Sequence, residues 1–196
     1  VYKSRKDLRH INFITIDGAD AQDFDDAVFC HPSENGWKLF VAIADVEHFV
    51  SIGSAVDNEA LQRGTSVYFY DRVLPMLPEV LSNNLCSLRP NQPRLAIVCE
   101  MDIDFDGSAK NSKFYKAVIE SKARLTYSQV SSLIADGDFS PTTSSTSKLI
   151  ENLSNLFKAQ TTYRKKRGAI NLDLPQLRII LNDNNEMRGV KNITRS

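Results

Sequence analysis

Five aspartates, Asp17, Asp20, Asp23, Asp25 and Asp26, fall within the ten residues that open at Asp17, in the run Thr15-Ile16-Asp17-Gly18-Ala19-Asp20-Ala21-Gln22-Asp23-Phe24-Asp25-Asp26-Ala27. Like charges held this close repel and raise one another's pKa, so a fold that gathers several carboxylates usually offsets the repulsion with a divalent cation. Magnesium suits such a set. It prefers hard oxygen ligands, takes a few carboxylates and leaves positions for phosphate oxygens and water. Aspartate also favours turns, which would make the run a solvated acidic loop, and spacing alone leaves the two readings open. The apolar neighbours Ile16, Phe24 and Ala27 favour the first, because they seat the run against a core. Asp20 reads as a plain turn residue.

The elements around this run must deliver the carboxylates to one place. Ile11 to Ile16 is β-favouring and reads as a strand that ends at Asp17, where Gly18 breaks it. A second strand is predicted from Asp26 to Cys30, a turn over Pro32-Ser33-Glu34-Asn35-Gly36, and a third strand from Lys38 to Ala44. Asp17, Asp26 and Asp45 then all lie near strand ends. Residues 57 to 63 read as helix. Val67 to Leu81 contains Pro75 and Pro78, which forbid a regular helix or central strand, and reads as an ordered loop.

Leu95 to Ile103 and Phe114 to Leu125 are apolar runs on either side of the hairpin signal Asp106-Gly107. Thr126-x-x-Gln129 has the form of a capping box opening a short helix through Ala135. Residues 137 to 147, rich in Gly, Ser, Thr and Pro, read as a flexible connection. Leu149, Ile150, Leu153, Leu156, Phe157 and Tyr163 follow at helical spacing up to Gly168, with Arg164 to Arg167 at the negative end of the helix dipole. Ile170 to Leu181 is expected to end the ordered pattern as one or two strands, and no internal repeat is visible. The fold class predicted is α+β, a mainly antiparallel sheet with packed helices.

Composition bounds the function classes. The 196 residues are 42% hydrophobic and 9% aromatic, enough for an ordinary globular core. Twenty-four basic residues balance 24 acidic ones, so any footprint for nucleic acid must be local. Cys30, Cys86 and Cys99 are odd in number and lack a CxxC pair, which disfavours a disulfide framework or a structural zinc site and suits a reducing cytoplasm. No stretch has the roughly 18 consecutive apolar residues of a membrane span. A start at Val1 and a polar end at Ser196 suggest a piece cut from a longer polypeptide.

Thr15-Ile16-Asp17 followed by Asp23-Phe24-Asp25-Asp26-Ala27 resembles the RNB domain of the ribonuclease II and ribonuclease R family. So do Val41-Ala42-Ile43-Ala44-Asp45-Val46, Pro75-Met76-Leu77-Pro78, Leu81-Ser82-Asn83-Asn84-Leu85-Cys86-Ser87-Leu88 and Ile119 to Tyr127, in the same order and at similar spacing. The likeness runs from about Lys6 to Leu181 and is closer to the ribonuclease R branch; agreement at several points is far more specific than one motif. It implies magnesium-dependent (or manganese-dependent), processive 3′-to-5′ hydrolysis of single-stranded RNA to nucleoside 5′-monophosphates. It implies that Asp17 and Asp26 are metal ligands, that Asp23 and Asp25 share the metal site and are catalytic, and that Asp25 matters most for the chemistry. Tyr68 and Tyr127 match aromatics that bind nucleotides near the 3′ end, and stacking suits sequence-independent degradation. Leu172 stands where the ribonuclease II branch places another aromatic.

The same resemblance makes the chain the N-terminal portion of the catalytic domain. The parent is then a monomeric cytoplasmic enzyme with cold-shock and S1 RNA-binding domains and a phosphate-binding arginine segment further along, and this portion alone is weakly active or inactive. A non-catalytic RNA-binding or assembly module is the rival from another class; a metal-dependent phosphatase or DNA nuclease shares the acidic chemistry. Asp102-x-Asp104-x-Asp106-Gly107 imitates a calcium loop, but its twelfth position is Lys113 and not glutamate, so strand periodicity explains it better. His10, His31 and His48 have no ligand spacing.

Overall fold

A computed structural model describes residues 4–69, 72–137, 143–170, 176–182 and 187–193. Among the described residues, eleven strands and three α-helices follow in chain order: β1 (Lys6–Asp7), β2 (Ile14–Asp17), β3 (Asp26–Ser33), β4 (Gly36–Ala44), α1 (Ala55–Arg63), β5 (Val67–Tyr68), β6 (Val73–Leu74), β7 (Pro93–Asp104), β8 (Ala109–Glu120), β9 (Ala123–Thr126), α2 (Tyr127–Asp136), α3 (Ser144–Lys166), β10 (Gln176–Leu181) and β11 (Met187–Ile193). Seven strands form one sheet in the order β1-β8-β7-β4-β3-β2-β9. The four inner pairings are antiparallel and the two outermost, β1 with β8 and β2 with β9, are parallel. The expected α+β class, mainly antiparallel, is what the chain forms.

Each face of this sheet buries its own core, as period-two alternation requires. On one face Ile14, Cys30, Leu39, Ile103 and Leu125 pack against Leu133 of α2 and Leu149, Ile150 and Leu156 of α3. On the other, Phe13, Phe40, Ala42, Val98, Ala117 and Ile119 are covered by loop residues, among them Leu8, Phe24, Cys86 and Leu88. Phe13 meets Phe40 edge-on, with ring centroids 6.5 Å apart. Two helices cover one face and loops the other, where Phe24 makes the carboxylate run part of the cover.

Several expectations need correction. The apolar run Phe114 to Leu125 is not continuous: the chain breaks at Ser121 and Lys122, and β9 crosses to the far edge of the sheet to pair with β2. The turn after β3 is only Glu34-Asn35, with Pro32 and Ser33 still in the strand. Helix α3 starts at Ser144, inside the stretch read as a connection, because Thr143 caps it by accepting from the Thr146 amide. Order continues past Leu181, since β11 pairs antiparallel with β10. Residues 138–142 and 171–175, including Leu172, lie outside the described residues. The Pro-containing segment carries the short β5–β6 hairpin and a π-helical turn, Leu81–Leu85, apart from the main sheet, as the prolines demand.

Other expectations hold. Asp106-Gly107 makes the β7–β8 turn, with Gly107 at φ +87°. A Cβ there would come within 2.4 Å of the Ala159 carbonyl, so glycine lets the hairpin tip lie against α3. Thr126 and Gln129 form the reciprocal capping box, with bonds of 2.8 and 3.2 Å. The aspartates of the calcium-loop imitation serve the hairpin: Asp102 pairs with Lys38, and Asp106 accepts from the Ser108 amide.

Candidate active site

Asp17 is the last residue of β2 and Asp26 the first of β3. These strands are antiparallel neighbours, with Ile14 opposite Val28, so both aspartates sit at the same end of the sheet. The intervening residues 18–25 form the loop that carries Asp23 and Asp25. This loop is fastened from three directions. Ser87, itself buried, donates to the Gln22 carbonyl (2.8 Å) and accepts from the Phe24 amide (3.0 Å), and the Leu88 amide donates to the Phe24 carbonyl. The Ala44 amide, at the end of β4, donates to the Asp25 carbonyl at 2.9 Å. Arg124 of β9 donates to the carbonyls of Gly18 and Ala19. Phe24, between Asp23 and Asp25, is 8% exposed and plugs the loop into the core.

The side chains between these anchors differ in exposure. Asp17 and Asp23 are partly buried, and Asp25 and Asp26 are exposed at the rim. Asp17, Asp25 and Asp26 all have carboxyls raised above the ordinary value of 3.8, first because burial removes water from the charged form. At Asp17 the charges of Asp26, Asp23 and Asp25 add to the rise and Arg124 opposes it; at Asp25 the charges of Asp23 and Asp26 add to it. Oδ2 of Asp17 is buried without a hydrogen-bond partner. None of the four carboxylates takes part in a salt bridge among the described residues.

Tyr68, on β5, donates its hydroxyl to Asp23 Oδ2 at 3.3 Å, and its ring is 67% exposed. Burial and then the Asp23 charge raise its pKa, so the hydroxyl remains a donor. Tyr127 follows Thr126, whose Cα pairs with Asp17 across β9 and β2, and its ring is 61% exposed. The structure thus gathers Asp17, Asp23, Asp25, Asp26 and Tyr68, and sets Tyr127 one residue beyond a paired position. Asp20 is exposed, as a turn residue would be.

Among the described residues, no three side chains of His, Cys, Asp or Glu converge closely enough to hold a metal ion as they stand. The donor chemistry nonetheless fits a hard divalent cation: all donors are carboxylate oxygens, one is orphaned in the interior, and their mutual repulsion is opposed at Asp17 by the nearby charge of Arg124 without an ion pair. Two supporting residues, Arg124 and Ser87, had no spacing signal in the sequence. Arg124 and Ser87 lie inside stretches that resemble the family, but nothing in their spacing marks them as anchors of the loop. Asp45 forms a buried ion pair with Arg5, with side chains 0% and 5% exposed.

The family model described as the RNB domain matches residues 5–196. Ribonuclease R of Vibrio parahaemolyticus is 45% identical over 199 residues, which cover 98% of this chain and 23% of that protein. Ribonuclease R of Escherichia coli is 44% identical over 194 residues, 98% of this chain and 24% of that protein. The chain therefore spans about a quarter of the length of these relatives. Mycoplasma genitalium RNase R, solved in complex with double-stranded RNA, superposes with a TM-score of 0.93 at 33% identity, over 99% of this chain and 34% of that one. Yeast Ssd1, described as a pseudonuclease, shares the fold at a TM-score of 0.66 and 19% identity, over 79% of this chain and 19% of that one.

Proposed function

This chain belongs to the RNB domain family, and from that membership we propose that it is the N-terminal portion of the catalytic domain of a 3′-to-5′ exoribonuclease that hydrolyses single-stranded RNA to nucleoside 5′-monophosphates. The observation that carries the reading is the buried, unpartnered Oδ2 of Asp17 in the field of Asp23, Asp25 and Asp26. A carboxylate oxygen left dry and uncompensated is costly, and a site that is loaded with a cation in use removes that cost.

In this reading Asp17 and Asp26 hold magnesium, or manganese in its place, with Asp23 and Asp25 completing the site. Bound there, the ion supplies positive charge for phosphate oxygens and lowers the pKa of a water molecule. The protein's own residues do the rest. Asp25, exposed at the rim and raised in pKa, can accept a proton from a water molecule held beside it. Tyr68 orients Asp23 through its hydroxyl while its exposed ring offers a stacking face to the terminal base. Tyr127 offers a second face. Stacking needs no particular base, which suits degradation without sequence preference. The parent enzyme is cytoplasmic, and because this chain corresponds to about a quarter of its relatives, the isolated portion is weakly active or inactive.

Calorimetric titration with magnesium and manganese, together with hydrolysis of labelled RNA and DNA by the parent protein, tests this. Binding that vanishes in Asp17→Asn and Asp26→Asn, with RNA shortened from its 3′ end, is expected. RNA affinity independent of metal, with no cleavage by the parent, would instead identify a non-catalytic RNA-binding module, and equal cleavage of DNA would identify a general nuclease.

A further inference from the structure

Arg124 is not among the residues that either motif spacing or the family resemblance singles out for chemistry. It lies on β9 opposite Thr15 of β2, one strand from the segment that ends in Asp17. Among the described residues it enters no salt bridge, despite four carboxylates nearby. Its Nη2 donates to the carbonyls of Gly18 (2.8 Å) and Ala19 (2.6 Å), on the limb of the loop leaving Asp17. Its guanidinium also lies over the ring of Phe24, 5.6 Å from the centroid, on the limb returning through Asp23 and Asp25. One side chain therefore bridges the outgoing and returning limbs.

The two contacts need arginine for different reasons. One guanidinium nitrogen serves two adjacent carbonyls while the rigid plane it belongs to lies on an aromatic ring, whereas an ammonium is a point charge on a flexible stem without such a face. Its Nε is buried and unpartnered, so the group is held in place at some desolvation cost. The returning limb has separate anchors in Ser87 and Leu88, so Arg124 is what ties that limb to the outgoing one. Its charge also opposes the rise in the Asp17 carboxyl.

Resting on the cation reading given above, we infer that Arg124 is a positioning residue: it closes the loop that brings Asp17 to Asp23, Asp25 and Asp26, and so sets the affinity of these carboxylates for a divalent cation. Residues that orient metal ligands without touching the metal typically contribute about 10–100-fold in affinity. Titration calorimetry of the metal-free 196-residue chain with manganese chloride reads this without any catalytic assay. Arg124→Met should weaken manganese binding by about tenfold or more, Arg124→Lys should recover only part of the loss, and Phe24→Leu, which keeps the carbonyl bonds but removes the stacking face, should weaken it less.

Near-ultraviolet circular dichroism identifies the variants that remain folded. Unchanged affinity in folded R124M overturns the inference. If R124M does not fold, unchanged affinity in both R124K and F24L overturns it equally. Binding lost in Asp17→Asn but fully retained in R124M would defeat this inference and leave the cation reading standing; no manganese binding by the unsubstituted chain would defeat both.

Discussion

Replacing Arg5 by methionine should cost this fold more than any exposed ion pair could. Arg5 Nη2 stands 2.5 Å from Asp45 Oδ2, and both side chains are buried. At an effective dielectric of about 20, attraction at that distance is roughly 7 kcal/mol, but withdrawing two ions from water costs several kcal/mol each, so the intact pair is close to neutral. Removing Arg5 alone keeps the desolvation cost of Asp45 and discards the attraction, for an expected loss of about 3–5 kcal/mol. Against a total stability of about 5–15 kcal/mol that is a large fraction. For a domain of this size it corresponds to a fall in Tm of roughly 6–20 °C.

Asp45 makes no side-chain cap on the short 3₁₀ turn that follows it, so the double variant Arg5→Met, Asp45→Leu should return most of the stability. Urea denaturation of the single and double variants measures both numbers. A single-variant loss below about 1 kcal/mol, or a double variant as unstable as the single one, would refute the account, because a stranded buried charge must cost more than an apolar replacement.

Divalent metal should stabilise the chain by about 2.7 kcal/mol at a hundred times its Kd, or roughly 5–10 °C in a thermal melt, and Asp17→Asn should abolish the shift. Because Asp17, Asp25 and Asp26 are raised above 3.8, these three groups bind protons more readily in the fold than in the unfolded chain. In EDTA their contribution to stability should therefore fall as pH rises from that value through the raised ones, whereas the lowered carboxyls of Asp7, Glu100, Asp102 and Asp106 contribute with the opposite sign, so the test is the difference between variants: Asp26→Asn should gain Tm over the unsubstituted chain as pH rises to neutral. Gly107→Ala should cost about 1–3 kcal/mol in urea denaturation, since its φ is +87° and the new methyl meets the Ala159 carbonyl. Tyr68→Ala in the parent protein should weaken binding of single-stranded RNA by about 1–3 kcal/mol, whereas Tyr68→Phe, which keeps the ring, should change it far less; fluorescence anisotropy separates the two.

Local chemistry made much of this legible in advance. Gly18 after Asp17, Asp106-Gly107 between two apolar runs, and Thr126 with Gln129 are each decided by a few neighbouring residues, and the structure follows them. Asp17, Asp23, Asp25 and Asp26 were visible because their density has few explanations. Phe114 to Leu125 was misread because strand periodicity is the same whether a run stays in one strand or breaks and crosses the sheet. Nothing local encodes that β9 pairs with β2. Residues 143 to 147 looked like a linker because Ser and Thr serve as caps and as loop residues alike. Arg5, Ser87 and Arg124 act through partners 40 to 106 residues away, as the pairs Arg5–Asp45 and Arg124–Gly18 illustrate, and no window along the chain contains both ends.

The parallel seam between β2 and β9 also orders events in time. Gly18 and Arg124 are 106 residues apart along the chain, and closing a loop of that length costs on the order of 4 kcal/mol in chain entropy, far more than the two-residue turn between β3 and β4. That difference predicts that the hairpins form before the seam, because distant pairings must first meet the closure cost. During synthesis the acidic run leaves the ribosome before the strand that sets its shape. A polypeptide halted before Arg124 carries the carboxylates without the geometry, which builds a delay between making the run and arming it.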